Sequence, residues 1–243
     1  MIRLLTLVKK SEWQNLSVPK MFTQTVKRFP QKVMFYFEDE TWTFQEVEDY
    51  SNQVANYFLS KGYSKGESIA LFMDNRPEYV AIWLGLAKIG VIPALINYNL
   101  KDKALTHTVQ VAKCSGYVFV CFFEFKDYCL TIVAKYLTLP TNNTFPFYRL
   151  IYGVEFAQEV SDVHSSLKNG FSEPYRTFSS GPPSKRTVNI PSTIDLNDHL
   201  DSASKEPVSQ AIQDSIGFKE KLLYIYTSGT TGLPKAAVIK HSR

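Results

Sequence analysis

Apolar and polar residues follow two rhythms along this chain, and each change of rhythm marks an element. Met21, Phe22, Val26 and Phe29 recur near a 3.6-residue period, which predicts a helix over VPKMFTQTVKRFPQK that Pro30 ends. VMFYFEDETWTF reads as a hairpin: an apolar strand, an acidic turn and a short second strand. Thr43 followed by Glu46 has the form of a capping box. The helix it opens carries Phe44, Val47, Tyr50, Val54, Tyr57 and Phe58 on one face, and Gly62 closes it. The unbroken apolar run from Ser68 to Met73 is expected to be a strand buried on both faces. DNRPEYVAIWLGLAKIG follows as a helix with Asp74 or Asn75 as its cap, Pro77 in the first turn and Gly90 at its end. VIPALIN and GYVFV are further strands, with the helix KDKALTHTVQVAKC between them. Strands alternating with helices of this length need crossover connections. The fold class is therefore α/β, with βαβ units forming a mostly parallel sheet flanked by helices.

The rhythm then fails. Cys121 to Ile151 has dense aromatics, little periodicity and no turn logic until Pro140, after which GVEFAQEVSDVHSSL resumes a helical pattern. Residues 168–205 are rich in Ser, Pro, Asn and Lys and are expected to form a long surface loop. FKEKLLYIYTSG returns to a strand. Residues 1–16 are expected to be an N-terminal tail and 17–243 a single domain.

Composition narrows the functional classes. With 44% apolar and 14% aromatic residues the chain is globular. Its net charge of +4 is too diffuse to argue for a nucleic-acid partner, and the basic residues Arg3, Lys9 and Lys10 read as a solvated terminus. Cys114, Cys121 and Cys129 are odd in number and form no CxxC pair, so reduced thiols are expected rather than disulfides or zinc. No apolar run approaches the ~20 residues of a membrane span, and MIRLLTLVKK falls short of a secretory signal. The chain reads as cytosolic or facing the cytosol. His107, His164, His199 and His241 lack metal spacing and read as surface or packing residues. Asp195, Asp198 and Asp201 read as solvated. Asn75 and Arg76 could line a cleft, with capping and exposure as the simpler reading.

The strongest chemical signal lies in YIYTSGTTGLPKAAV. A strand runs into Thr227, Ser228, Gly229, Thr230, Thr231 and Gly232. Glycines let backbone N–H groups approach a ligand, and successive N–H groups make an anion-binding nest. The hydroxyls add uncharged donors and Lys235 adds a full positive charge. A strand, a hydroxyl-and-glycine loop and a lysine suit a triphosphate. The pattern is not the Walker A loop, because Leu233 and Pro234 separate Gly232 from Lys235, and Pro lacks the N–H such a helix start would use. Lys235 is expected on a stiff, extended turn. Tyr224 and Tyr226 are expected to pack the strand.

TSGTTGLPK closely resembles the phosphate-binding signature of the adenylate-forming (AMP-binding) synthetases. The longer YIYTSGTTGLPKAA, with HSR after it, resembles the fatty acid transport proteins, which are also very-long-chain acyl-CoA synthetases. WTFQEVEDYSNQVANYF and IALFMDNRPEYVAIWLGLAKIGVIPALIN are similar to the first part of that family's large domain. The resemblance covers nearly all of residues 17–119 and 153–243. It implies that a long-chain fatty acid and ATP give an acyl-adenylate and pyrophosphate, and that coenzyme A then displaces AMP. Thr227, Ser228, Gly229, Thr230, Thr231, Gly232 and Lys235 match the motif that holds the β- and γ-phosphates of ATP, usually with Mg2+.

The resemblance also sets expectations about what this chain lacks. The family's adenine pocket, Mg2+-binding Glu, ribose-binding Asp, most of the acyl tunnel and the C-terminal domain with its adenylation lysine come after the loop. The chain is thus expected to be an incomplete N-terminal part of the large domain, inactive alone. The alternatives are a non-catalytic truncated product that only binds, or another acyl-adenylating enzyme. Residues 120–152 have no place in the family pattern and read as an insertion, since joining Phe119 to Gly153 restores the family's strand and helix. For the full-length parent the resemblance implies membrane association facing the cytosol, at the endoplasmic reticulum or plasma membrane; no transmembrane segment is expected in this chain.

Overall fold

Strand β3 (Ser68–Phe72), buried at every position, is the axis on which the sheet is built. The computed structural model describes residues 2–100, 102–119, 178–179, 194–227 and 232–243. Numbered among those residues, the helices are α1 (Ile2–Trp13), α2 (Val18–Arg28), α3 (Phe44–Ser60), α4 (Pro77–Lys88), α5 (Asp102–Val111), α6 (Leu196–Leu200) and α7 (Gln210–Ser215). The other strands are β1 (Val33–Phe37), β2 (Glu40–Thr43), β4 (Ile92–Ile96), β5 (Gly116–Phe119), β6 (Phe178–Ser179), β7 (Ile194–Asp195), β8 (Lys221–Thr227) and β9 (Lys235–Lys240). β1 and β2 form the antiparallel hairpin that the sequence predicts.

The main sheet runs β7-β6-β5-β3-β4-β8-β9, parallel except for the β8–β9 pair. β4 lies on one side of β3 and β5 on the other. The crossovers through α4 and α5 therefore run in opposite directions, and right-handed connections put the two helices on opposite faces. α4 packs against α3, while α5 touches β4 and β9. The main core joins Val54, Phe58, Ile69, Leu71, Ile82 and Leu86. Gly85 lets α3 and α4 close together: a Cβ there would lie 2.5 Å from the Ser51 carbonyl oxygen and 2.7 Å from Val54 Cβ.

Local chemistry explains most boundaries. Thr43 and Glu46 make the expected box: Glu46 N–H donates to Thr43 Oγ1 at 3.2 Å, and Thr43 N–H donates to Glu46 Oε2 at 2.6 Å. Gly62, at φ +81°, closes α3 in the left-handed region that glycine enters at little cost. The expected cap of α4 needs correction. Its N-cap is Arg76, which makes no side-chain cap bond, because Pro77 and not Asp74 or Asn75 sets the start.

Three further differences have physical causes. The residues expected as an N-terminal tail carry α1, which contains neither Gly nor Pro and several strong helix formers. Asn15, at φ +47°, ends that segment in a conformation asparagine tolerates. The stretch expected to be one long surface loop over 168–205 holds β6, β7 and α6 among its described residues. Leu196 and Leu200, one helical turn apart, are fully buried there, although the polar composition around them hides the spacing. The remainder of that stretch, the 120–152 block and the helix expected after it lie outside the described residues.

Polar side chains on α3 hold the chain that leads to β8. Gln53 Nε2 donates to the Leu200 carbonyl at 2.6 Å and Asn52 Nδ2 to that of Lys205 at 2.8 Å. Asn56 Nδ2 donates to the carbonyls of Ser204 and Glu206 at 2.9 and 2.8 Å.

Candidate functional site

β8 pairs in parallel with β4, so its end at Thr227 lies at the carboxyl edge of the sheet, where ligands bind in open α/β folds. The chain returns as β9, and the antiparallel register sets Thr227 across from Lys235 and Tyr226 across from Ala236. Lys235 therefore opens a strand and does not sit on the extended turn expected from Pro234, and the AAVI run of β9 continues the apolar pattern past the loop. Of the residues matched to the phosphate motif, Thr227, Gly232 and Lys235 are described, and all three are exposed. The hairpin brings Thr227 and Lys235 together. Gly232 sits at φ +136°, which only glycine adopts readily, with nothing within 4 Å of where a Cβ would be. Ser228, Gly229, Thr230 and Thr231 lie outside the described residues.

Two hydrogen bonds pin this hairpin to helices. At the loop end, Tyr226 Oη donates to the Thr108 carbonyl of α5 at 2.6 Å. Burial raises the Tyr226 hydroxyl above its usual pKa, with Cys114 and Tyr224 adding to the effect. At the open end, Val18 N–H donates to His241 Nδ1 at 3.1 Å, and His241 N–H donates to the Glu220 carbonyl at 3.1 Å. Burial pushes the His241 imidazole down to about 4, against the opposing pull of Glu220. His241 is thus a buried packing residue, as expected, and also a specific acceptor.

The adjoining edges are polar. Asn97 follows β4, and its Oδ1 accepts from Asn99 N–H at 2.9 Å. Asp74 follows β3; burial raises its carboxyl pKa, Arg76 opposes the shift and Glu38 adds to it. Arg76 Nε pairs with Glu78 Oε2 at 3.2 Å, and its guanidinium lies 5.8 Å from the Phe37 ring centroid. The guanidinium is thus engaged at the start of its own helix, while Asn75 is exposed.

A second polar cluster lies between α2, α3 and α4. Lys88 Nζ is 2.9 Å from Glu48 Oε2, both side chains less than 8% exposed. Lys88 Nζ also donates to Asn52 Oδ1 at 2.6 Å, and Thr23 Oγ1 donates to Glu48 Oε1 at 2.9 Å. Burial lowers the Lys88 pKa, against the pull of Glu48. The adjoining cavity measures about 30 Å³, room for a water rather than a substrate. The spacing puts Lys88 on the stripe of α4 that carries the buried Ala81 and Leu84, but its pairing with Glu48, 40 positions away, is not announced by the apolar periodicity of either helix. Among the described residues, no group of three or more His, Cys, Asp and Glu side chains is gathered as a metal site. No described helix is long and apolar enough to cross a membrane.

Comparison with known proteins extends the picture. A family model described as "AMP-binding enzyme" matches residues 22–243. Long-chain fatty acid transport protein 1 of Rattus norvegicus is 36% identical over 93% of this chain and 29% of its own length. A crotonobetaine/carnitine–CoA ligase of Proteus mirabilis (strain HI4320) is 24% identical over 91% of this chain and 36% of its own. This chain thus spans about a third or less of the curated relatives it matches most strongly. Among solved structures, the anthranilate CoA ligase AuaEII in complex with anthranoyl-AMP superposes with a TM-score of 0.65 at 18% identity, covering 94% of this chain and 35% of that one. That likeness concerns the fold.

Proposed function

The chain belongs to the AMP-binding enzyme family, and from that premise we propose that the turn between β8 and β9 holds the β- and γ-phosphates of ATP. The protein that carries it activates long-chain or very-long-chain fatty acids. One observation carries this reading: a Thr/Ser/Gly-rich turn leaves the carboxyl end of a parallel strand and returns at Lys235, directly across from Thr227. Backbone N–H groups and hydroxyls from Thr227 to Gly232, with the Lys235 ammonium, stabilise negative charge on the departing pyrophosphate.

In the reaction, a fatty acid carboxylate oxygen attacks the α-phosphorus, and the bond to the β-phosphate oxygen breaks. Pyrophosphate leaves and an acyl-adenylate forms. The thiol of coenzyme A then attacks the acyl carbon, releasing AMP and giving the acyl-CoA. Among the described residues no group of three or more His, Cys, Asp and Glu side chains is gathered that would hold Mg2+. The fatty acid assignment is supported by relatives named as long-chain fatty acid transport proteins. We extend it to a role in fatty acid uptake at a membrane, on the cytosolic side.

Positioning two reactants supplies a large share of such a rate, and this chain spans 29% of the length of the rat relative. The 243-residue chain alone is accordingly expected to make no acyl-CoA from oleate, ATP and CoA. The test is oleate-dependent release of pyrophosphate from ATP, measured for this chain and for the longest natural product that contains it. Oleate dependence in the longer product alone supports the reading. Turnover by this chain alone overturns its dependence on further sequence. Turnover with a different carboxylic acid and none with oleate moves the assignment to another acyl-adenylating enzyme.

A further inference from the structure

We propose that Tyr226 is a positioning residue for the β8–β9 hairpin, setting Thr227 and Lys235 in place through its hydroxyl bond to the Thr108 carbonyl. Its consequence for phosphate binding rests on the reading of that hairpin as the triphosphate site.

The register carries the argument. The ladder between β4 and β8 pairs Ala94 with Tyr224 and Leu95 with Ile225 and stops there. Tyr226 and Thr227 lie beyond it, held on the sheet side only by β9. Among the described residues β9 pairs with no strand but β8. The loop end of the hairpin therefore projects past its last attachment to the parallel sheet. At that point the Tyr226 hydroxyl meets α5, the helix that packs on β4 and β9.

The acceptor is suited to the task. Thr108 is fully buried and lies in the last turn of α5, where carbonyls lack regular intrahelical partners. The backbone donor that reaches its oxygen, Ala112 N–H, is stretched to 3.4 Å, whereas Tyr226 Oη lies at 2.6 Å. The Thr108 hydroxyl is turned to the Leu105 carbonyl at 2.7 Å. Tyr226 thus satisfies a buried helix-end carbonyl and fixes the strand immediately before Thr227. Without the hydroxyl that buried carbonyl keeps only the stretched bond from Ala112 N–H, so the Tyr226 bond resists opening.

Tyr226→Phe removes the hydroxyl and keeps the ring. In the 243-residue chain, amide exchange at Thr227 and from Gly232 to Ala236, apart from Pro234, should rise about fivefold, the equivalent of one neutral hydrogen bond, with α3 and β3 unchanged. Affinity for inorganic tripolyphosphate should fall by a similar factor. Gly85→Ala, which strains the α3–α4 contact, is the control for stability loss alone and should leave tripolyphosphate affinity unaltered. Exchange unchanged in Tyr226→Phe, or raised uniformly as in the control, would overturn the proposal. Local exchange raised in a chain that never binds tripolyphosphate sinks the triphosphate reading and supports the positioning role. The native chain gives a measurement that does not depend on the variant folding. With carbon-13 tyrosine, the Tyr226 ring should show no titration at pH 10; ordinary titration there overturns the proposal.

Discussion

Val18, the first residue of α2, donates its N–H to Nδ1 of His241, the residue after β9, at 3.1 Å across 223 positions of sequence. Ser17, the N-cap, makes no side-chain bond to the helix, and Pro19 has no N–H. His241 therefore does from a distance what a local cap would do. His241→Ala leaves the Val18 donor without its acceptor and should cost about 1–2 kcal/mol.

The same bond has a pH signature. Burial lowers the His241 pKa from 6.5 to about 4. The unfolded chain takes up the proton first as pH falls, so stability is intact above 6.5 and is lost between 6.5 and 4. The loss attributable to His241 is at most about 3 kcal/mol. Urea denaturation of the native chain and His241→Gln at pH 7.5, 5.5 and 4.5 isolates it from the carboxylates. The advantage of the native chain should shrink stepwise with falling pH, and a constant difference would count against the assignment.

The Glu48–Lys88 pair predicts an asymmetry. Lys88→Met strands a buried carboxylate and should cost about 3–5 kcal/mol, whereas replacing both partners, Glu48→Leu with Lys88→Met, should cost much less. A double-mutant cycle by chemical denaturation measures the coupling. Additive losses would show that the pair is not coupled.

Two glycines should fail for different reasons. Gly85→Ala must push Val54 or the Ser51 backbone aside and should cost about 1–3 kcal/mol through overpacking. Gly232→Ala meets no atom, so its cost of roughly 1–3 kcal/mol comes from the backbone at φ +136°. Thermal melts should show both losses. Gly85→Ser should worsen the first, and the β-branched Gly232→Val should worsen the second.

The elements legible in the sequence are those whose cause is local. The Thr43–Glu46 box and the turn at Gly62 depend on neighbours a few residues away, and the unbroken apolar run of β3 declares burial on both faces by its own composition. What escaped depends on distant partners. β9 is a strand because Tyr224 and Tyr226 lie beside it, and α6 is buried because α3 receives it. Of the site, the Gly/Thr/Ser turn and Lys235 were readable as composition in order. The two pins were not, because the Tyr226 hydroxyl meets Thr108 at a separation of 118 residues and His241 meets Val18 at 223.

Lys235 offers the most direct test of the hairpin. It is exposed, and among the described residues no carboxylate neutralises it. A charged hydrogen bond to phosphate contributes about 1.5–3 kcal/mol. Lys235→Ala should therefore weaken tripolyphosphate binding roughly tenfold to a hundredfold. The contact lies at the surface, so salt screens it. Raising ionic strength should weaken the native chain more than Lys235→Ala, and the two affinities should converge. Lys235→Arg keeps the charge in a planar fork and should retain part of the affinity. Calorimetric titration at two salt concentrations reads all three. If Lys235→Ala binds as the native chain does, or loses affinity with an unchanged salt slope, Lys235 does not hold the phosphates and the strand opposite Thr227 serves only to close the turn.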